Sequence, residues 1–111
     1  MIHLVLHLIV PVALALAFYR PRWRSSAAIL IATMIVDVDH LLADPIYDPV
    51  RCSIGFHPLH RLPAIVAYAL LFALPLAARD RVRTDARLRG VHLAGLGLIV
   101  HMVLDAIDCA L

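Results

Sequence analysis

Four long apolar segments constrain the fold of this 111-residue chain more than any other feature. They cover approximately residues 2–19, 27–43, 62–78 and 90–111. Each has about 17–22 residues, close to the roughly 20 that an α-helix needs to cross about 30 Å of hydrocarbon. The chain is 63% hydrophobic, whereas soluble domains are about 45–50% apolar. We therefore predict an all-α protein, an integral-membrane four-helix bundle that forms a single transmembrane domain over residues 1–111.

The arginines predict the orientation of this bundle. The first connection carries Arg20, Arg22 and Arg24, and the third carries five more between residues 79 and 89, whereas the second has only Arg51 and Arg61. Positively charged loops stay in the cytoplasm, so both termini and the loop 44–61 are expected to face outward. The arginines between 79 and 89 are expected to contact anionic lipid headgroups.

The distribution of arginines also indicates whether the first segment is cleaved and in which membrane the protein lies. Three arginines follow the first apolar segment and none precedes it, which favours a retained helix over a cleaved signal peptide. We expect a multi-pass protein of a bacterial inner membrane whose outer side is the periplasm. Cys52 and Cys109 both fall on that oxidising side, where a disulfide can form.

Histidines and aspartates gather toward the outer side of the predicted segments. Ionisable residues at membrane depth are costly and indicate a functional site. The outer-side set is His3, His7, Asp37, Asp39, His40, His57, His60, His101, Asp105 and Asp108. Because the orientation was derived from arginines alone, this grouping is an independent indication of a site. His92, near the inner end, is expected to be an interfacial or packing residue.

Helical spacing places several of these groups on common faces. His3 and His7 are one turn apart, and Asp37 and His40 are separated by about 60° around a helix. His101 and Asp105 also share one face. Asp39 lies about 160° from Asp37 on a regular helix, so either the helix loosens there or Asp39 orients an imidazole or accepts a proton.

Imidazole nitrogens and carboxylate oxygens together predict a divalent metal, most readily zinc, with manganese or iron as alternatives. The number of ligands suits one or two ions. The predicted metal ligands are His7, Asp37, His40, His57, His60, His101 and Asp105. His57 and His60, in the outer loop, are expected to complete or gate the site. Arg51 and Arg61 are expected to bind the phosphate of a lipid substrate.

Three short motifs support a resemblance to a known family. They are Asp37-Val38-Asp39-His40, the loop His57-Pro58-Leu59-His60-Arg61, and His101-Met102-Val103-Leu104-Asp105. With them the chain resembles the small bacterial inner-membrane proteins described as membrane-bound metal-dependent hydrolases. The resemblance implies metal-dependent hydrolysis at the membrane, with Asp37, Asp39, His40, His101 and Asp105 as site positions.

The sequence thus predicts a hydrolase that acts on a lipid-linked ester or phosphoester through metal-activated water, with Asp39 as the catalytic residue for proton transfer. One alternative is a membrane protein that binds or transports metal ions or protons without hydrolysis. Another, less favoured, is a haem carrier that uses His7 and His101. Nucleic-acid binding is not expected, because the net charge is only +2 and no basic stripe is interleaved with aromatics. Homo-oligomerisation stays open.

Overall fold

The computed structural model describes residues 2–45, 48 and 50–110, and all regular secondary structure in these residues is helical. Helix α1 spans Ile2–Phe18. Helix α2, Trp23–Ala32, follows a 3₁₀ turn at Arg20–Arg22 and continues as a 3₁₀ helix over Thr33–Leu42. A short 3₁₀ turn, Pro58–His60, precedes helix α3, Leu62–Ala73. A 3₁₀ segment, Leu74–Ala78, leads from α3 into helix α4, Arg79–Thr84, and the last helix, α5, is Ala86–Ala110.

In the described residues these elements form the four helical segments predicted from the sequence, and three of the four are long and apolar enough to cross a membrane. The three are Arg20–Leu42, Leu62–Thr84 and Ala86–Ala110. Helix α1 is apolar but has 17 residues, about 26 Å at 1.5 Å per residue. A full crossing by α1 stays a prediction, as does the outward orientation of both termini.

The helices extend further into the arginine-rich connections than the apolar segments do. The second helical segment begins at Arg20 instead of 27, and the third ends at Thr84 instead of 78. The last helix begins at Ala86 instead of 90 because Asp85 is extended and its carboxylate accepts hydrogen bonds from the backbone N–H groups of Arg87 and Leu88. Arginine is a good helix former, so loss of hydrophobicity does not end a helix here.

The bundle has an apolar outer surface and several polar residues inside. Side chains such as Ile35, Leu62 and Leu74 are 77%, 71% and 65% exposed, whereas His101 and Asp105 are buried. A soluble protein has the reverse arrangement, so the exposed apolar surface supports placement in a bilayer.

Helix α5 packs against α1, α2 and α3, and two of its glycines permit close approach. A Cβ atom at Gly95 would overlap the backbone of Leu71 and Phe72 in α3, and one at Gly97 would overlap the side chain of Thr33. Small residues at such crossings let membrane helices pack through their backbones. The glycines therefore determine how closely α5 approaches α2 and α3.

A disulfide joins Cys52 to Cys109, with 5.2 Å between the Cα atoms. It connects the loop between the second and third helical segments to the last turn of α5. The sequence left this pairing open. The bond holds the loop that carries His57 and His60 to the end of the bundle where α5 ends.

The close contact at Gly95 leads to a test of the packing. Gly95→Ala is expected to lower the free energy of unfolding in detergent by about 1–3 kcal/mol, the usual cost of overpacking a filled interface. Gly90→Ala is the matched control, because a Cβ atom at Gly90 meets nothing within 4 Å. That variant should be neutral or slightly stabilising, since alanine favours helix more than glycine. Equal stability of the two variants would contradict the described crossing of α3 and α5.

Candidate metal centre

The 3₁₀ helix Thr33–Leu42 positions the Asp37–His40 motif. At its start the Thr33 hydroxyl donates to the carbonyl of Leu30 at 2.5 Å. Three residues make one turn of a 3₁₀ helix, so Asp37 and His40 lie one above the other and Asp39 lies about 120° away. The helix tightens at the motif, where the sequence had suggested loosening as one option.

Four side chains meet at the centre of this end of the bundle: Asp37, His60, His101 and Asp105. We call them the ligand cluster. One donor atom from each lies within 4.8 Å of the other three. His101 Nε2 is 2.9 Å from Asp37 Oδ1, and His60 Nε2 is 3.1 Å from Asp105 Oδ2. His60, His101 and Asp105 are buried and Asp37 is half-buried, so the cluster combines two imidazoles and two carboxylates with little access to water.

Asp39 orients His60 from behind the cluster. Its Oδ2 atom accepts a hydrogen bond from the backbone N–H of Leu59 at 2.8 Å and lies 3.1 Å from His60 Nδ1. An ionised carboxylate can only accept, so Nδ1 carries a proton, and Nε2 faces the cluster, where it can bind a metal ion or a second proton. This arrangement, carboxylate to imidazole to ligand position, is typical of metal-binding histidines. Asp39 therefore lies where it can orient an imidazole, one of the two alternatives that the sequence left open for it.

Several buried polar atoms at this end lack a hydrogen-bond partner among the described residues. They are His7 Nε2, His60 Nε2, His101 Nδ1 and Asp105 Oδ2. Unsatisfied buried polar atoms are rare in native structures and call for an explanation such as an ion. Because the lone pair of His60 Nε2 faces carboxylate oxygens, a cation between these atoms would convert repulsion into attraction. The residues present thus fit a divalent metal.

The charges around His60 also favour a bound cation. Burial lowers the pKa of His60, but the carboxylates of Asp105, Asp37 and Asp39, each within 3.3 Å of a ring nitrogen, outweigh burial and raise that pKa to about 10. The loop imidazole thus lies where positive charge is strongly favoured. The cluster can satisfy that preference with a proton or with a metal ion.

A second group of ligands shares Asp105 with the cluster. It consists of His3, His7 and Asp105. His3 Nε2 and His7 Nε2 lie 3.0 Å and 3.4 Å from Asp105 Oδ1, and His7 Nδ1 donates to the carbonyl of His3 at 2.8 Å. His3 was not among the predicted ligands, although its one-turn spacing from His7 was the signal for it. His3 Nδ1 also lies 3.7 Å from a carboxylate oxygen of Asp108.

A third group consists of Asp39, His40 and His57. The rings of His40 and His57 stack with centroids 3.8 Å apart. His40 Nδ1 is 3.1 Å from Asp39 Oδ1, and His40 Nε2 is 3.3 Å from the Ser53 hydroxyl. Burial and the neighbouring His40 lower the pKa of His57. His40 and His57 therefore lie beside the ligand cluster, and Asp39 bridges the two groups.

The two arginines predicted to bind substrate differ in position. Arg61 lines a cavity of about 260 Å³ together with Asp39 and His57, and its guanidinium donates to the carbonyl of Phe56 at 3.3 Å. The Arg51 guanidinium lies 4.5 Å from the centre of the Phe56 ring, and it donates to the carbonyl of Pro45 at 2.8 Å. Arg51 does not line the cavity, so Arg61 is the better placed of the two.

His92 lies apart from these groups. Its Nε2 pairs with the Tyr19 hydroxyl at 2.7 Å, and its Nδ1 pairs with the carbonyl of Phe72 at 2.9 Å. Both ring nitrogens are satisfied, which is consistent with the packing role expected from its position in the sequence.

Comparison with known proteins identifies a family but no function. No curated protein and no solved structure matches the chain. The matching family carries no functional description, so the resemblance to membrane-bound metal-dependent hydrolases stays a prediction. The family model covers residues 1–111, and the chain belongs to DUF6122, a family of unknown function.

Proposed function

We propose that this protein is a metal-dependent hydrolase embedded in a bacterial inner membrane, acting on a lipid-linked ester or phosphoester at the periplasmic face. The observation that carries the proposal is the convergence of Asp37, His60, His101 and Asp105, with orphaned buried atoms of His60 and Asp105 facing one another. Two imidazoles and two carboxylates match the donor set of zinc, and manganese or iron accepts the same ligands.

The neighbouring groups extend this donor set. His3 and His7 share Asp105 with the ligand cluster, an arrangement that supports a second ion. His40 and His57 are joined to the cluster through Asp39. A divalent metal in such a site supplies a Lewis acid and lowers the pKa of water.

The protein's own residues would bind substrate and hold the ligands in place. Arg61, on the cavity beside Asp39 and His57, is suited to bind a phosphate or carboxyl oxygen with its guanidinium. Asp39 is buried and already accepts hydrogen bonds from Leu59 and His60. We therefore assign Asp39 first a positioning role through His60. Proton transfer by Asp39, predicted from the sequence, would pass through the imidazoles it contacts.

Metal or proton transport without hydrolysis is the alternative function. A transport path needs polar groups along the full depth of the bundle. Between the ligand cluster and His92 lies an apolar core formed by Ala15, Ala27, Leu30 and Leu93. This apolar layer favours a site that opens to one face.

Haem binding between His7 and His101 is disfavoured by their spacing. The two rings contact each other edge to face, with centroids 4.5 Å apart. The cavity beside them has a volume of about 10 Å³, which is about the space of one water. A porphyrin ring does not fit between these side chains.

The first test of the proposed function is the metal content of the purified protein. Detergent-purified wild-type protein should retain at least about one equivalent of zinc, manganese or iron, as expected for a four-ligand site. Asp37→Asn and His101→Gln should lose it, because each removes a ligand while keeping side-chain size. Elemental analysis by mass spectrometry measures the stoichiometry.

Matched controls come from the same residue types outside the three ligand groups. Asp44 is an exposed aspartate on the loop, and His92 is a buried histidine at the other end. Asp44→Asn and His92→Gln should keep the metal. Unchanged metal content in both Asp37→Asn and His101→Gln, or no metal in the reconstituted wild type, would overturn the assignment.

A second test asks whether Asp39 positions His60 or binds the metal itself. Asp39→Asn should retain metal but weaken its affinity by about 10–100-fold, the usual effect of removing a hydrogen-bond partner of a ligating histidine. Competition with a chromogenic zinc chelator measures this change. If Asp39→Asn behaves like wild type, the orienting role of Asp39 is wrong.

The hydrolytic step has its own test. Metal-loaded protein in lipid nanodiscs should hydrolyse a member of a panel of fluorogenic ester and phosphoester lipids, and chelation should abolish the activity. Arg61→Gln should raise KM about 10-fold or more by loss of a charge-assisted hydrogen bond, whereas Arg51→Gln should change it little. A metal-loaded protein that is inactive on the whole panel would favour the metal-binding alternative.

A further inference from the structure

A second polar site lies at the end of the bundle opposite the ligand cluster. A cavity of about 430 Å³ opens where the chain passes from α1 to α2 and where α4 meets α5. We call it the arginine cavity. Its polar lining consists of Tyr19, Arg22, Ser26, Arg83 and Arg89.

The three arginines bring uncompensated positive charge to this cavity. Every ion pair in the described part of the chain joins a histidine to an aspartate, and none involves an arginine. The Arg89 guanidinium donates to the backbone carbonyl of Arg83 at 3.2 Å, which brings these two residues together without neutralising either. Arginines that line one cavity without carboxylate partners favour a phosphate or another multivalent anion.

The hydroxyl of Ser26 is a second, independent indication that the arginine cavity binds a ligand. Its side chain is completely buried, and its hydroxyl oxygen has no hydrogen-bond partner among the described residues. A buried hydroxyl without a partner is costly. Because Ser26 lines the arginine cavity, a ligand oxygen in that cavity would supply the missing partner.

A mostly apolar cavity of about 460 Å³ adjoins the arginine cavity and shares Phe18, Tyr19, Arg83 and Arg89 with it. Its remaining walls are apolar except for Arg79 and His92. A ligand that occupies both cavities must carry an anionic head and a hydrocarbon chain.

We propose that the arginine cavity binds the phosphate headgroup of an anionic phospholipid and that the adjoining apolar cavity holds one of its acyl chains. Arg22, Arg83 and Arg89 would contact the phosphate oxygens, and Ser26 would donate its hydroxyl proton to one of them. This lipid site is independent of the metal centre, because Ala15, Ala27, Leu30 and Leu93 separate the two ends of the bundle.

Native mass spectrometry of the full chain in detergent, titrated with phosphatidylglycerol, tests the proposal. Wild type should bind one phosphatidylglycerol more tightly than it binds phosphatidylcholine. Arg89→Gln should weaken phosphatidylglycerol binding by about 10-fold or more, the effect of losing one hydrogen bond between charged groups. Arg81→Gln is the control that removes the same charge from an exposed arginine lining neither cavity, and its affinity should stay near that of wild type.

Ser26→Ala separates lipid binding from folding. The variant should weaken phosphatidylglycerol binding while leaving lipid-free thermal stability in detergent unchanged or higher, since the hydroxyl has no hydrogen-bond partner in the described part of the chain. Unchanged binding by Ser26→Ala together with equal losses from Arg89→Gln and Arg81→Gln would overturn the site in favour of diffuse surface charge.

A competition experiment distinguishes a phospholipid from a free phosphate compound as the ligand of the arginine cavity. Soluble glycerol phosphate at millimolar concentration should not displace phosphatidylglycerol, because it cannot fill the apolar cavity. Full displacement would overturn the lipid assignment and indicate a site for a free phosphate compound. Equal binding of phosphatidylcholine would also overturn it, by showing that the arginines do not select the headgroup. Metal content should be unaffected in all of these variants.

Discussion

Charge compensation of buried carboxylates is the constraint on which the end of the bundle with the ligand cluster depends. The side chain of Asp105 is only 5% exposed, yet His3, His7, His60 and His101 all lie within 3.4 Å of its oxygens. A carboxylate in such surroundings is stable only when it is paired or bound to a metal. Three helical segments and one loop contribute the ionic groups at this end. Their arrangement is therefore inseparable from the folding of the bundle.

The scaffold brings these groups together by close backbone packing. Gly95 and Gly97 let α5 approach α3 and α2, so that His101 and Asp105, one and two turns further on, reach Asp37 and His60. The disulfide between Cys52 and Cys109 holds the loop against the same end. The loop histidines are thereby buried although they lie outside the long helices.

The two ends of the bundle carry different chemistry across an apolar middle layer. The end with the aspartates and histidines is suited to a metal ion, and the end with the arginines is suited to a phosphate. A hydrolase working on lipids gains from both, because contacts with anionic headgroups stabilise the protein's position relative to the membrane surface. The apolar layer between them keeps the proposed metal chemistry at one face.

Four apolar helices and the gathering of histidines and aspartates at one end could be predicted from the order of the residues alone. Hydrophobic length and residue spacing are local properties, and they were sufficient to name Asp37, His60, His101 and Asp105 among the expected ligands. Packing of the helices and the loop determines that His60 joins this cluster while His40 contacts Asp39 and His57. It also brings His3 to Asp105, places Arg61 instead of Arg51 on the cavity, and places Asp39 against Nδ1 of His60. Those outcomes depend on the tightening of the helix at residues 33–42 and on how the loop folds over the bundle. Both are set by contacts between residues far apart in the chain, which helical periodicity does not encode.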